Sequence, residues 1–525
     1  MKAVEWFVKG LQERGVDWIS TLCGHGLDPL DFAAEKAGLR LVDTRNEQAA
    51  AYMAEVHGRL TRRPGVAAVS SGIGHTNAMT GVLSAHFDGA PMILVSGSAS
   101  HTTASMGHFQ DVDQVALAAP ATKYARVIDQ AERTLQILDE AWQAAVSLPP
   151  GPVHLTFPMD VQNTEVAEQD LIRPARSLTT TIDAGEDIDD AAQLLANAER
   201  PLIVAGSGIY YAGEGEALVA FAEQFSVPVQ VPIWDRGCVE VPSESFIGVL
   251  GSATGGPALL QQADLIIMAG AAPDYRVGFL QVGAVDESAR VIQVNLGWGD
   301  FAEAYEDAGG KGHGDWLSAA HRLRKEFRES VQRRGVEQAG DRLHAMDVIE
   351  ALRPALSHDE VFSGDAIFLI DGGSIGQWAH QLLTGRYPGH WLTCGRSGVV
   401  GWGLPGAMAA RLVHPGRPVI LLSGDGSLTF TPAEIECAVR QGLPFVVIVA
   451  DDQSWGITKS GHVRDFGKAV TSSLGPIDFV KLAEAFGARG VRAESAEEIS
   501  RALDEALGES TVTVIHVPIV GGNPA

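Results

Sequence analysis

The chain has 525 residues, 46% of them hydrophobic and 20% charged, with a formal net charge of −26 at pH 7. That length exceeds a single core and suits two or three domains, while the acidic balance argues against a nucleic-acid or anionic-membrane partner. Four scattered cysteines, Cys23, Cys238, Cys394 and Cys437, form no Cys-x-x-Cys pair, so reduced thiols in a cytoplasmic protein are expected, not a disulfide framework or a zinc site.

In chain order, MKAVEWFVKGLQERGVDWIS reads as an amphipathic helix; it carries charges throughout and lacks the apolar core of a signal peptide. No stretch approaches the roughly 20 apolar residues that cross a bilayer. Short apolar runs then alternate with helix-length segments, which predicts an α/β protein with parallel sheets flanked by helices. Three domains are expected, over residues 1–165, 186–320 and 345–525. The first ends on the buried-strand pattern PGPVHLTFPMDVQ. The second opens with a helix near Ile188, followed by RPLIVAGSG, ADLIIMAGAAPD and ARVIQVNLG. The charged stretch HRLRKEFRESVQRRGVEQAGDR reads as a solvated connector. The outer domains share a unit of strand, glycine turn, helix, Gly-x-Pro and strand (GVAAVSSGIGHTN to GAPMILVSGSAS; RPVILLSGDGS to GLPFVVIVADDQS), which suggests two related domains around a different one.

In the last of these units, Asp425 and Asp452 each follow an apolar run and lie 27 positions apart, the length of one helix plus one strand. Ligands of parallel sheets collect beyond the C-terminal strand ends. Neighbouring strands lie only about 5 Å apart, so carboxylates on adjoining tips repel unless a cation sits between them. Magnesium takes such oxygen ligands and completes its shell with water and phosphate, and Gly424 and Gly426 would let backbone approach an anion closely. Gly-Asp-Gly by itself marks a turn.

GDGS, some thirty residues and a strand ending in a polar pair together resemble the signature of the thiamin-diphosphate (ThDP) enzymes. The resemblance implies magnesium held by Asp425, Asp452 and the carbonyl of Ser454, with Asp452 standing where the family usually has Asn. It also implies a pyrimidine-binding domain, a central domain and a diphosphate-binding domain. DTRNEQAAAYMAEVHGRLTRRPGVAAVSSGIGHTN resembles the first of these in the acetolactate synthase and benzaldehyde lyase branch. Glu47 there matches the family's catalytic acid, a carboxyl group set against the aminopyrimidine N1′ that promotes formation of the C2 ylid. SGVVGWGLPGAMAA places Val400 at the family's wedge and Gly398 at the carbonyl that accepts the 4′-amino group. IDGGSIGQWAHQLL implies diphosphate contacts from Gly373, Ser374 and Gln377, joined by Gly424, Gly426, Ser427 and Trp455; Lys459 reads as a surface residue. One coenzyme must touch both Glu47 and Asp425, and in the family these come from different subunits. A homodimer is therefore the minimum expectation and a homotetramer the fuller one.

For the reaction, ASMGHFQDVDQ lacks the adjacent histidines of pyruvate decarboxylases, while Phe109 and Gln110 match the Phe-Gln of acetolactate synthase. A neutral amide suits attack on a second carbonyl. DQVALAAPATKYARV and DDQSWG resemble benzaldehyde lyase strings. TNAM resembles benzoylformate decarboxylase, whose active-site serine and histidine positions hold Leu27 and Ser70 here. Asp28 stands at the lyase's histidine position, leaving His25 and His75 as proton-transfer candidates. GAAPDYRVGFL resembles the synthase stretch whose arginine, here Arg276, meets a 2-oxoacid carboxylate; Ala272-Pro273 replaces the preceding Arg-Phe and weighs against bound FAD. The expected activity is that of a ThDP- and magnesium-dependent carbon–carbon lyase or ligase acting on 2-oxoacids, aldehydes or 2-hydroxyketones. Decarboxylation of a 2-oxoacid is the alternative. A non-catalytic ThDP- or nucleotide-binding protein, or a flavin-dependent oxidase, stands behind it.

Overall fold

The computed structural model describes residues 1–172, 185–251, 255–356, 366–383 and 385–522. Seventeen strands form three parallel sheets. The first contains β1 (Trp18–Leu22), β2 (Arg40–Asp43), β3 (Gly65–Val69), β4 (Met92–Ser98), β5 (Tyr124–Val127) and β6 (Pro152–Pro158). The second contains β7 (Pro201–Ala205), β8 (Val229–Pro232), β9 (Phe246–Leu250), β10 (Leu265–Ala269) and β11 (Arg290–Gln293). The third contains β12 (Ile367–Asp371), β13 (Trp391–Thr393), β14 (Val419–Gly424), β15 (Val446–Asp451), β16 (Arg489–Arg492) and β17 (Thr513–Pro518).

The outer sheets have the same strand order, β2-β1-β3-β4-β6-β5 and β13-β12-β14-β15-β17-β16, whereas the middle sheet runs β11-β10-β7-β8-β9. The repeated unit in the sequence thus reflects a repeated topology around a differently wound centre. The central strands of the outer sheets, such as β3, β12 and β15, are buried along their whole length. That follows from helices covering both faces of a parallel sheet, and it explains their unbroken Val/Ile/Leu/Ala runs.

The outer domains pack directly on each other. Tyr52, Met53 and Val56 of the helix Glu47–Thr61 share a core with Trp402, Leu404 and Met408 at the helix Gly403–Val413. Polar ties reinforce this junction: Arg59 lies 2.8 Å from Asp88 and donates to the Thr393 carbonyl at 2.7 Å. From the central domain Arg236 donates to the carbonyls of Arg59, Trp391 and Gly389. The charged connector forms the helix Gly314–Ala339, but it is not wholly solvated. Trp316 donates to the Pro201 carbonyl at 2.9 Å, and a Cβ added at Gly335 would sit 3.2 Å from the Trp378 ring. Its sparse apolar positions therefore dock it on both domains it joins. Among the described residues no helix is long and apolar enough to cross a membrane.

Candidate active site

β14 and β15 are adjacent, with Gly424 opposite Ala450, so the two acidic tips sit side by side on one rim of the sheet. The short helix Asp425–Leu428 starts at the first tip, and the turn leading into the helix Gly456–Phe466 follows the second. A cavity of about 240 Å³ lies between them. Gly373, Ser374, Gly398, Val400, Gly424, Asp425, Gly426, Ser427, Asp452, Ser454 and Trp455 all line it, together with Ile457 and Ile519. Glycine is required at 426 because a Cβ there would come 2.7 Å from the Trp455 ring, which closes that wall.

The two residues of the acidic pair do different work. Asp451 is tied to His516 at 2.8 Å, inside the sheet. Asp452 turns outward, where one carboxylate oxygen accepts from the Ser454 amide and hydroxyl at 3.1 and 2.9 Å. Burial, then the charges of Asp452 and Asp451, push the Asp425 carboxyl up to about 7. The Asp452 carboxyl is also raised by burial, against the Ser454 hydrogen bonds. Among the described residues no side-chain cation forms an ion pair with either, and no three His, Cys, Asp or Glu side chains are grouped to hold a metal by themselves. Two carboxylates and a backbone carbonyl, all hard oxygen donors, would suit a divalent cation that borrows its remaining ligands from phosphate and water.

A second rim belongs to the N-terminal domain. Asn46 caps the helix Glu47–Thr61 by accepting from the Gln48 amide, and Glu47 at its first turn accepts from Asn77 at 3.0 Å. A Cβ at Gly74 would lie 2.2 Å from the Ser70 hydroxyl and 3.2 Å from a Glu47 oxygen, so β3's end and the start of the helix Ile73–Asp88 converge on Glu47. Gln110 is held close by: its side-chain oxygen accepts from the Ser71 hydroxyl at 3.0 Å, with its backbone at φ 57°. Phe109 stands edge-on to His25, ring centres 5.5 Å apart. No residue of this rim lines the 240 Å³ cavity.

Four expected site residues lie elsewhere. Leu27 is fully buried in the N-terminal core. His75 is buried too, bonded to Ser96 at 2.9 Å beside His154, and burial lowers its imidazole to about 4, so it is a neutral core residue. Arg276 is enclosed by Asp235 at 2.8 Å, Asp274 at 2.9 Å and the Ile233 carbonyl at 2.9 Å, which leaves no face for a substrate carboxylate. Gln377 points into the core and does not line the cavity. Asp28 is exposed at the first turn of the helix Asp28–Lys36, where its charge helps burial raise Asp31 to about 6. Ala272 and Pro273 line a separate cavity of about 530 Å³ between the domains. Lys459 sits one turn into its helix, outside the site cavity.

Two residues not anticipated from sequence support these rims. Buried Gln114 accepts from the Gly72 amide at 2.8 Å and so braces the turn beneath Gln110. Asp371, at the end of β12, accepts from the amides of Gly401 and Gly403. Its signal was an acid closing an apolar run just before Gly-Gly, the same pattern that exposed Asp425.

Comparison with known proteins agrees with this geometry. Three family models match in order: the thiamine pyrophosphate enzyme N-terminal TPP binding domain at residues 1–117, the central domain at 188–308 and the C-terminal TPP binding domain at 371–517. The chain is 31% identical to the acetolactate synthase large subunit of Mycobacterium tuberculosis, over 98% of this chain and 95% of the relative. The chain belongs to the thiamine pyrophosphate enzyme family. It is a ThDP-dependent enzyme of the acetolactate synthase-like branch, of the lyase or transferase type. Other relatives are the acetolactate synthase isozyme 2 large subunit of Escherichia coli (27% identical, 99% of this chain, 96% of the relative) and human 2-hydroxyacyl-CoA lyase 2 (27%, 94% and 86%). Within this family the cavity beyond β14 and β15 falls inside the C-terminal TPP binding domain.

Proposed function

We propose that this ThDP enzyme makes or breaks a carbon–carbon bond next to a carbonyl, with magnesium anchoring the coenzyme's diphosphate. The observation that carries the reading is a pair of carboxylates on adjoining strand tips, without a direct ion pair among the described residues, facing a glycine-walled cavity. In it, Asp425, Asp452 and the Ser454 carbonyl would hold the ion. Gly373, Ser374, Gly426, Ser427 and Trp455 would surround the diphosphate, and Val400 and the Gly398 carbonyl would seat the pyrimidine. When bound, the coenzyme supplies a carbon nucleophile that adds to a substrate carbonyl and stores its electron pair.

Glu47 holds and returns a proton at the pyrimidine nitrogen, oriented by Asn77. Gln110 offers a neutral amide to a substrate oxygen without delivering a proton, which favours capture of a second carbonyl over protonation. In the family the glutamate and the diphosphate grip of one site come from different subunits, and Glu47 lines no part of its own chain's cavity, so the working unit is at least a homodimer with each site shared between subunits. Exposed Ile73, Leu83 and Phe87 on the helix Ile73–Asp88 support that assembly.

The enclosure of Arg276 weighs against its contact with a 2-oxoacid carboxylate and supports a second reading: cleavage or formation of 2-hydroxyketones or 2-hydroxyacyl compounds, in keeping with the name of the human relative. The test supplies pyruvate, benzoylformate and benzoin in turn, with ThDP and magnesium, and measures carbon dioxide, aldehyde and hydroxyketone. Carbon–carbon cleavage or ligation is expected, falling at least about 100-fold in Glu47→Gln. Undiminished turnover in that variant would overturn the assignment of Glu47, and carbon dioxide with free aldehyde as the only products would replace the reading with decarboxylation.

A further inference from the structure

The turn that carries Gly398 and Val400 is built from residues with little stiffness of their own. Gly398 and Gly401 both have left-handed backbones, at φ 62° and 83°, on either side of Val400. Such a segment loses much conformational freedom when ordered and needs an external tether. The helix that follows it, Gly403–Val413, begins at Trp402 without a side-chain cap.

The tether comes from a neighbouring strand. Asp371 ends β12, which pairs with β13 and β14 and is buried throughout. Its carboxylate accepts from the Gly401 amide at 3.1 Å and the Gly403 amide at 2.8 Å, and the Ser427 hydroxyl bonds to it from the diphosphate side. The turn approaches it closely because residue 403 is glycine: a Cβ there would lie 2.7 Å from the Asp371 Cβ. Among the described residues no lysine, arginine or histidine acts on it, and burial pushes its carboxyl up to about 7 against the pull of the Gly403 and Gly401 amides and the Ser427 hydroxyl; the first of those amides opens a helix. Asp371 does not itself line the cavity.

We propose that Asp371 is a positioning residue that fixes the 398–403 turn to the core of the sheet, and so sets where Val400 and the Gly398 carbonyl meet the pyrimidine half of the coenzyme. This rests on the functional reading above. It separates the two halves of the site: the strand tips grip the diphosphate, and Asp371, through the turn, sets the seat of the ring.

The experiment compares wild-type protein with Asp371→Asn, which keeps the shape and one acceptor oxygen but loses the charge and puts an amide donor in place of the other oxygen, among the Gly401, Gly403 and Ser427 donors. Amide hydrogen exchange at Gly401 and Gly403 is read on coenzyme-free protein. Affinities for ThDP and for inorganic pyrophosphate are then measured by calorimetry with magnesium. The expected result is exchange faster by about tenfold or more at those two amides, unchanged protection of β12 and β14, ThDP affinity lower by about tenfold, and pyrophosphate affinity within about threefold of wild type. Asp371→Glu, which keeps the charge but overreaches the turn, shows the same split and replaces the Asn variant should that not fold.

Wild-type exchange and ThDP affinity in the variant would overturn the proposal. So would an equal loss of pyrophosphate affinity, which would place Asp371's effect on the diphosphate through Ser427, or an equal loosening of β12 and β14, which would make its role merely structural. Wild-type protein that takes up no ThDP would instead strike the functional reading, while the exchange data would still decide whether Asp371 holds the turn.

Discussion

Two of the groups of enclosed acids among the described residues differ in what faces them. At the domain junction each carboxylate meets a guanidinium: Asp235 and Asp274 enclose Arg276, and Asp88 and Glu55 flank Arg59 at 2.8 and 3.5 Å. Beyond β14 and β15, among the described residues, no cation pairs directly with Asp425 or Asp452, Lys459 acting on Asp452 only from a distance, and the two face a cavity instead. An acid compensated within its own chain fixes structure. Two acids crowded together without a compensating partner raise the energy of the protein, and on the reading proposed above a cation from outside completes their site.

Three measurements would break or sharpen this contrast. Arg276→Ala should have the largest effect, a stability loss of about 3–5 kcal/mol in denaturant or thermal unfolding, because it strands the buried Asp235 carboxylate and leaves half-buried Asp274 without its partner. Magnesium-dependent ThDP uptake by the fraction still folded should stay near wild type, and a normal melting curve would show that the pair contributes nothing. Asp425→Ala should do the reverse. Calorimetry with magnesium should show ThDP affinity down by about 100-fold or more, with thermal stability of the metal-free protein equal to or above wild type, because a repulsion has been removed.

The third effect is smaller and depends on pH. Burial raises the Glu55 carboxyl from 4.5 to about 7 despite the pull of Arg59. The native state then holds that proton more tightly than the unfolded chain, so stability contributed by the group is lost as pH rises between those values. Relative to Glu55→Gln, the wild-type protein should therefore lose about 2 kcal/mol from pH 5 to pH 8. A pH-independent difference between their melting curves would show that Arg59 holds Glu55 ionised throughout.

Much of this was legible from the residues. The alternation of apolar runs with helical segments gave the α/β class. The recurrence of strand, glycine turn and Gly-x-Pro strand anticipated that the outer sheets share one strand order. The juxtaposition of Asp425 and Asp452 was legible because each ends an apolar run one helix and one strand apart, and the two strands are neighbours. The surroundings of Arg276 and His75 were not legible, for the opposite reason. A lone Arg or His in a loop or helix gives no hint of its surroundings, and only the fold brings Asp235, 41 positions before Arg276, against its guanidinium. Leu27 and Gln377 were placed by position in a motif, which fixes neither the direction of a side chain nor its burial. Asp371 was overlooked because the glycines after it drew the reading, although its own role depends on amides some thirty positions later.

The hydrogen bonds of Arg236 carry one further consequence. A single side chain from the middle of the chain reaches carbonyls on both outer domains, those of Arg59 on one side and Gly389 and Trp391 on the other. It works as a rivet through three plates. The centre is thus not a freely exchangeable cassette: a chimera that imports another central domain inherits correct alignment of the flanking pair only if a comparable guanidinium arrives with it.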